Sequence, residues 1–276
     1  MSVSEIFKSK KMIIFMILLA AMLLFAIFGR FFAPNDPYFV DMGLVLKPPD
    51  AQYPMGCDNL GRCIYSRILY GALTTIFAAI AVVVIVFVIG AIIGMVAAIR
   101  GGIVEAVLMK LNVVFQAFPS FILAMAIAGM MGAGLRNGII AMCTVQWTKY
   151  ARMARSYTLE LRNSEYIQSA IISGAGTFSI IIRHILPNIL PKMIIMAALD
   201  VSNVVLALAG LSFLGLSARH PTAEWGLMMS DSRMYMQLAP WTVVFPGIAL
   251  FIVVIIFNLF ADSFRDVMDV KGKKIK

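Results

Sequence analysis

The residues of this chain that could do chemistry are few and far apart. Asp200, with Ser202 and Asn203 beside it, stands inside an apolar run from Met193 to Phe213. If that run crosses a bilayer, its carboxylate costs ~2.5–3.5 kcal/mol on the translocon scale and must face a polar partner or a water-filled path. Two roles follow: a buried link to a neighbouring subunit, or a negative wall that favours a passing cation. Cys57 and Cys63 lie in a turn-rich stretch and allow a disulfide, two unpaired thiols or an external metal pair. A disulfide there requires the Asn59-Leu60-Gly61 turn to bring the Cα atoms within ~7 Å. Cys143 falls in an apolar segment and is expected to pack. No GxxxxGK[ST] phosphate loop, HExxH, CxxC or serine nucleophile elbow occurs. Titratable groups do not cluster at one depth as a catalytic site needs. The chain is therefore read as a non-enzyme.

The elements that hold these residues are built for lipid. The chain has 276 residues, 61% hydrophobic and only 13% charged, with a mean hydropathy of +0.92. Soluble domains average roughly 45–50% apolar and about 25% charged, so disorder, collagen-like repeats and a disulfide scaffold are excluded together with a soluble fold. Mostly apolar runs of roughly 20 residues mark membrane helices, and a lysine near a run's end, as Lys149 is, can snorkel. They fall at Met12–Gly29, between Arg67 and Arg100, between Lys110 and Arg136, at Leu135–Ala151, Met193–Phe213 and Trp241–Ala261. Six crossings put both termini on one side. The N-tail, the 100–110 and 149–192 loops and the tail after Ala261 hold 16 Lys+Arg, against 7 on the opposite side. The positive-inside rule places both termini in the cytoplasm. The net charge of +9 then marks cytoplasmic loops and anionic lipid head groups rather than nucleic acid. His184 and His220 fall on opposite sides and cannot share a metal. The 20 methionines are read as gap fillers of helix packing. Gly90 and Gly94, four apart, allow close helix packing.

The inner loop from Lys149 to Lys192 is the most informative segment. Ser164 and Glu165 make a helix start, Ile167, Ala170 and Ile171 follow helical spacing, and Gly174 and Gly176 break it. The apolar pattern resumes from Ile180 to Leu186 until Pro187. A short helix, a bend and a second helix outside the membrane must fold back on the bundle or serve a soluble partner.

Gln168-Ser169-Ala170, Gly174 and Ile185-Leu186-Pro187 resemble the EAA loop of ABC importer permeases, with Gln and Ser where that family usually has Glu and Ala. Met55-Gly56-Cys57-Asp58-Asn59-Leu60-Gly61-Arg62 is similar to the "LGTDxLGRD" element of the peptide/nickel branch. Phe118-Pro119-Ser120, Leu211 to Leu216, Pro221 to Gly226 and Ala239-Pro240-Trp241 match further motifs in family order across about residues 55–269.

The resemblance implies an all-α polytopic membrane protein: a six-helix type I ABC importer permease (MetI-like) bundle with a cytoplasmic coupling helix. Residues 1–29 would be a cytoplasmic tail and first helix, 30–67 extracytoplasmic, 68–267 the permease domain with its EAA-type loop at about 160–190, and 268–276 a basic tail. Implied partners are a second homologous permease, two ATPases that bind ATP and Mg, an extracytoplasmic solute-binding protein and membrane lipid; this chain itself needs no cofactor. The location is the cytoplasmic membrane of a bacterium or archaeon. Glu165, Gln168, Ser169, Ala170, Gly174, Leu186 and Pro187 would couple to the ATPases, and Asp200 and Asn203 would line the path; no metal ligand is assigned. The strings Ala198 to Val201, Ile172 to Gly176 and Pro221 to Gly226 look closer to nickel-type permeases than to dipeptide ones. The solute is read as nickel or a chelated transition metal, with di- or oligopeptides as the alternative. A stand-alone secondary transporter or channel is the rival from another class. It would work without nucleotide and would be expected to show paired intramembrane charges or inverted repeats.

Overall fold

The computed structural model describes residues 10–274; Lys8 of the expected N-tail and Lys276 of the expected basic tail lie outside them. Backbone in hydrocarbon must satisfy its hydrogen bonds within its own segment, and the apolar runs fold as helices accordingly. The elements in chain order are α1 (Lys10–Phe28), α2 (Ile64–Arg100), α3 (Gly102–Gln116), α4 (Ser120–Met131) and α5 (Leu135–Arg162). They continue with α6 (Glu165–Ile172), α7 (Thr177–Phe213), α8 (Trp225–Ser232) and α9 (Trp241–Lys274).

Among the described residues, α1, α2, α7 and α9 are long and apolar enough to cross a membrane, giving four spans, or five if α3 and α4 together make one. The expected third crossing is not a straight helix: α3 and α4 meet at 86°. Pro119 causes the break, because it lacks an N–H and disfavours the helical conformation of Phe118 before it. The expected fourth crossing lies in α5, which does not stop at Ala151 but runs on through Arg152, Arg155 and Glu160. Much of the supposed inner loop is therefore helix. Pro187 does not end a helix either. A π-helical stretch, Ile180–Ile185, precedes it within α7. This wider turn makes room for a ring that would otherwise press on the carbonyl of Arg183.

The chain forms two compact units. One gathers Met1–Ala81, Ala128–Ile140 and Ala198–Lys276; the other gathers Val82–Ile127 and Ala141–Ala197. In the first, α1 and α8 pack on α9. The Pro221 to Gly226 string is its brace: Glu224 accepts from the N–H groups of Gly226 (3.1 Å) and Leu227 (2.8 Å), capping α8. Trp225 Nε1 donates to the Ile68 carbonyl at 3.1 Å. Burial holds the Glu224 carboxyl above its ordinary range, against the pull of those amides. In the second unit, α2 meets α5 through the expected glycine pair. A Cβ on Gly94 would stand 2.2 Å from the Ala151 carbonyl oxygen, and one on Gly90 would stand 2.5 Å from Tyr150 Cβ. Backbone-to-backbone approach of this kind is what small residues permit.

Candidate functional site

The EAA-like segment folds into an elbow. α6 ends in a Schellman motif in which Ala175 N donates to the Ala170 carbonyl at 3.0 Å. Gly174 occupies the left-handed position with φ +80°, which a side chain with a Cβ resists by ~1–2 kcal/mol. Ser164 does not cap the helix with its side chain; its hydroxyl donates back to the Leu161 carbonyl at 2.6 Å. Gln168 Nε2 donates to the Arg162 carbonyl at 2.9 Å, and Ser169 Oγ to the Glu165 carbonyl at 2.8 Å. The Gln168 bond ties α6 to the last residue of α5, while the Ser169 bond lies within α6.

The apolar stripe splits in two. Ile167 is 0% exposed and shares the interior with Ile181 and Ile185. Tyr166 and Asn188 join the two arms of the elbow, Asn188 Nδ2 donating to the Tyr166 hydroxyl at 3.3 Å. On the outside, Ile172 is 86% and Phe178 77% exposed, flanking the bend. Glu165, Gln168, Ser169, Gly174 and Pro187 are exposed, whereas Ala170 and Leu186 are half-buried. The sequence leaves the apolar stripe between the bundle and a soluble partner; Ile167 turns inward, and the outward-facing Ile172 and Phe178 were not among the coupling residues it singled out. The signal was present in two large apolar residues bracketing Gly174 and Gly176.

The same unit contains a cavity of about 450 Å³ whose lining sets Glu105, Asn112, Gln116 and Arg155 among apolar Met109 and Val113. Arg155 Nε donates to Glu105 Oε1 at 2.6 Å. Asn112 is buried and donates to the Thr148 carbonyl at 2.7 Å, and Gln116 donates to its Oδ1. Glu105, Asn112 and Gln116, at helical spacing among apolar residues of α3, are the sequence signal for this cavity. Asp200 and Asn203 do not share a surface: Asp200 is 3% exposed, while Asn203 one turn on is exposed. Ser202 Oγ donates to the Val254 carbonyl at 3.3 Å.

In the first unit, the turn Met55 to Arg62 carries a buried ion cluster. Asp58 accepts from Arg62 Nε at 2.7 Å and stands 3.6 Å from Arg67 Nε. Arg62 reaches Asp231 at 3.5 Å, which His220 Nε2 meets at 3.1 Å. Burial raises the Asp231 carboxyl, and the neighbouring His220 and arginines only partly offset it. Cys57 and Cys63 are both buried in this turn.

Residues 90–272 match the binding-protein-dependent transport system inner membrane component family, and residues 3–49 match the N-terminal TM domain of oligopeptide transport permease C. The chain is 38% identical over 254 residues to the nickel transport system permease protein NikC of Escherichia coli (strain K12), covering 92% of each chain. It is 37% identical to the probable D,D-dipeptide transport system permease protein DdpC of the same organism, covering 93% of this chain and 86% of that one. The glutathione transport system permease protein GsiD of Escherichia coli O6:K15:H31 is 38% identical, with 90% and 82% covered. Among solved structures, an inward-facing MetNI methionine ABC transporter matches with a TM-score of 0.60 at 19% identity, covering 73% of this chain and 96% of that one. That likeness concerns the fold alone.

Proposed function

The chain belongs to the inner-membrane component family of binding-protein-dependent transport systems, in the peptide/nickel branch of ABC importer permeases, and from that membership we propose that it forms half of a translocation path for nickel or a chelated transition metal. A second homologous permease completes the path, two ATPases drive it, and an extracytoplasmic binding protein delivers the solute. α3 and α4 make one bent crossing and the first part of α5 another, so the bundle has six, with both termini cytoplasmic as the distribution of Lys and Arg favours.

The observation that carries this reading is the elbow at Gly174, an exposed apolar knuckle braced to α5 and running directly into α7. Pushed by a closing ATPase pair, it moves with α5 and α7 and biases the bundle between inward- and outward-facing states. Solute leaves by way of the cavity at Asn112 and Gln116. Asn203 meets the solute in the path, with the Asp200 charge behind it favouring cations.

Nickel over peptides is supported by the strings around Asp200, Gly174 and Trp225; overall identity separates the two poorly, since nickel and dipeptide relatives stand at 38% and 37%. The complex reconstituted in proteoliposomes is expected to accumulate nickel or a nickel chelate only with ATP, in preference to di- and tripeptides. Asp200→Asn keeps size and hydrogen bonding and removes charge. It is expected to slow metal uptake several-fold while assembly and ATP hydrolysis stay near wild type. Peptide uptake without metal uptake would move the assignment to the second reading. Flux independent of nucleotide would move it to a stand-alone transporter or channel.

A further inference from the structure

We propose that Cys57 and Cys63 are joined by a disulfide on the extracytoplasmic face, a modification that fixes the turn carrying Asp58. The two residues stand directly opposite each other in an antiparallel bridge. Asp58 N donates to the Arg62 carbonyl at 3.0 Å, and Ile64 N to the Gly56 carbonyl at 3.1 Å. The bonded residues thus flank the cysteines, which occupy the non-hydrogen-bonded position of the pair. At that position opposed Cα atoms lie about 4.5 Å apart with their side chains close, within the roughly 4.4–6.8 Å that a disulfide spans. Both are held as thiols in the structure, 0% and 2% exposed, with the turn packed over them. Burial, and next the neighbouring Cys63, push the Cys57 thiol up to about 12, so Cys57 is not nucleophilic at neutral pH once the turn has packed. Oxidation therefore precedes packing of the turn. A metal shared by the two sulfurs lacks further ligands: no cluster of three or more His, Cys, Asp or Glu suited to a metal occurs among the described residues.

The oxidant is the disulfide of an extracytoplasmic thiol–disulfide carrier. As the segment emerges, the Cys63 thiolate attacks one carrier sulfur and the other carrier sulfur leaves as thiolate. The Cys57 thiolate then attacks the Cys63 sulfur of the mixed disulfide and releases the second carrier thiolate. Two protein thiols are oxidised, and the carrier takes up their two electrons and two protons as a dithiol. The inference rests on the orientation proposed above, which puts the turn outside.

The full chain, expressed with its partner subunits, is quenched in acid, unfolded, alkylated with a maleimide and weighed intact. One adduct is expected without reductant, on Cys143, and three after reduction. Three adducts without reductant would overturn the proposal. Ala51→Cys, in a background with the native cysteines replaced by Ser, separates the two ways of failing. If the pair is free although Ala51→Cys reacts with an impermeant maleimide in intact cells, the disulfide is wrong and the orientation stands. If Ala51→Cys reacts only in inverted vesicles, the orientation fails and takes the inference with it. Reducing the purified protein should also lower its unfolding midpoint by at least ~2 °C, a shift absent from the Cys57→Ser, Cys63→Ser double variant. An unmoved midpoint would refute the role in fixing the turn.

Discussion

Gly174→Leu is expected to cut ATP-driven import about tenfold while leaving the chain inserted and folded. Nothing lies within 4 Å of where a Cβ at this position would stand, so the substitution creates no clash. Its cost is purely conformational: with φ at +80°, a leucine pays ~1–2 kcal/mol to hold the left-handed turn. Where the elbow has two arrangements, 1.4 kcal/mol is a factor of about ten in their ratio. The penalty falls on the joint between α6 and α7 and leaves the packed Ile167, Ile181 and Ile185 interior intact. Gly174→Asn is the control, since asparagine tolerates the left-handed region better than leucine. The expected order of import is glycine, then asparagine, then leucine, measured beside the amount of ATPase that co-purifies. A leucine variant that retains its ATPases and transports at the wild-type rate would remove Gly174 from the coupling path.

The helices were legible because lipid leaves the backbone so little choice, and the apolar runs of α1, α2, α7 and α9 became helices long enough to cross a membrane. What hydropathy could not report was direction. The run between Lys110 and Arg136 has the composition of a crossing, yet Pro119 turns it through 86°. Charges at Lys149 and Arg152 marked a membrane exit and were mistaken for a helix end, although nothing in α5 opposes helix until Arg162. Pro187 would have ended an ordinary α-helix; the chain instead passes it by a π turn whose Ile181 and Ile185 are buried, a tertiary setting that local sequence does not report. In the elbow, the bend at Gly174 was readable and the outward residues were not, because an eight-residue helix offers too few positions to tell its inner face from its outer one. The ion cluster lay furthest from view. Arg62 and Asp231 are 169 residues apart, and no local rule pairs them. The turn around Asp58 could be seen, but its burial could not.

That burial sets the second large effect. Asp58→Ala is expected to destabilise the protein by about 3–5 kcal/mol, the loss seen when one partner of a buried ion pair is removed. The reason lies in what remains. Arg67 is 0% exposed and would keep only the carbonyls of Pro37 at 3.1 Å and Thr222 at 3.5 Å. Arg62 would keep Asp231 at 3.5 Å, so two guanidinium charges would share one distant carboxylate. The turn would loosen as well, since Asp58 Oδ1 accepts from the N–H groups of Leu60 at 2.9 Å and Arg62 at 3.0 Å. Asp58→Asn separates these contributions, because its amide oxygen can keep one turn bond while the charge is lost. Arg62→Met combined with Asp58→Leu removes an opposite pair together and is expected to cost less than Asp58→Ala alone, as replacing a buried pair by apolar groups often does. Unfolding midpoints in detergent, with the yield of inserted chain, give the ranking. If Asp58→Ala shifts stability by less than about 1 kcal/mol, the range of an exposed pair, the cluster is solvated in the membrane and does not hold the turn to α2.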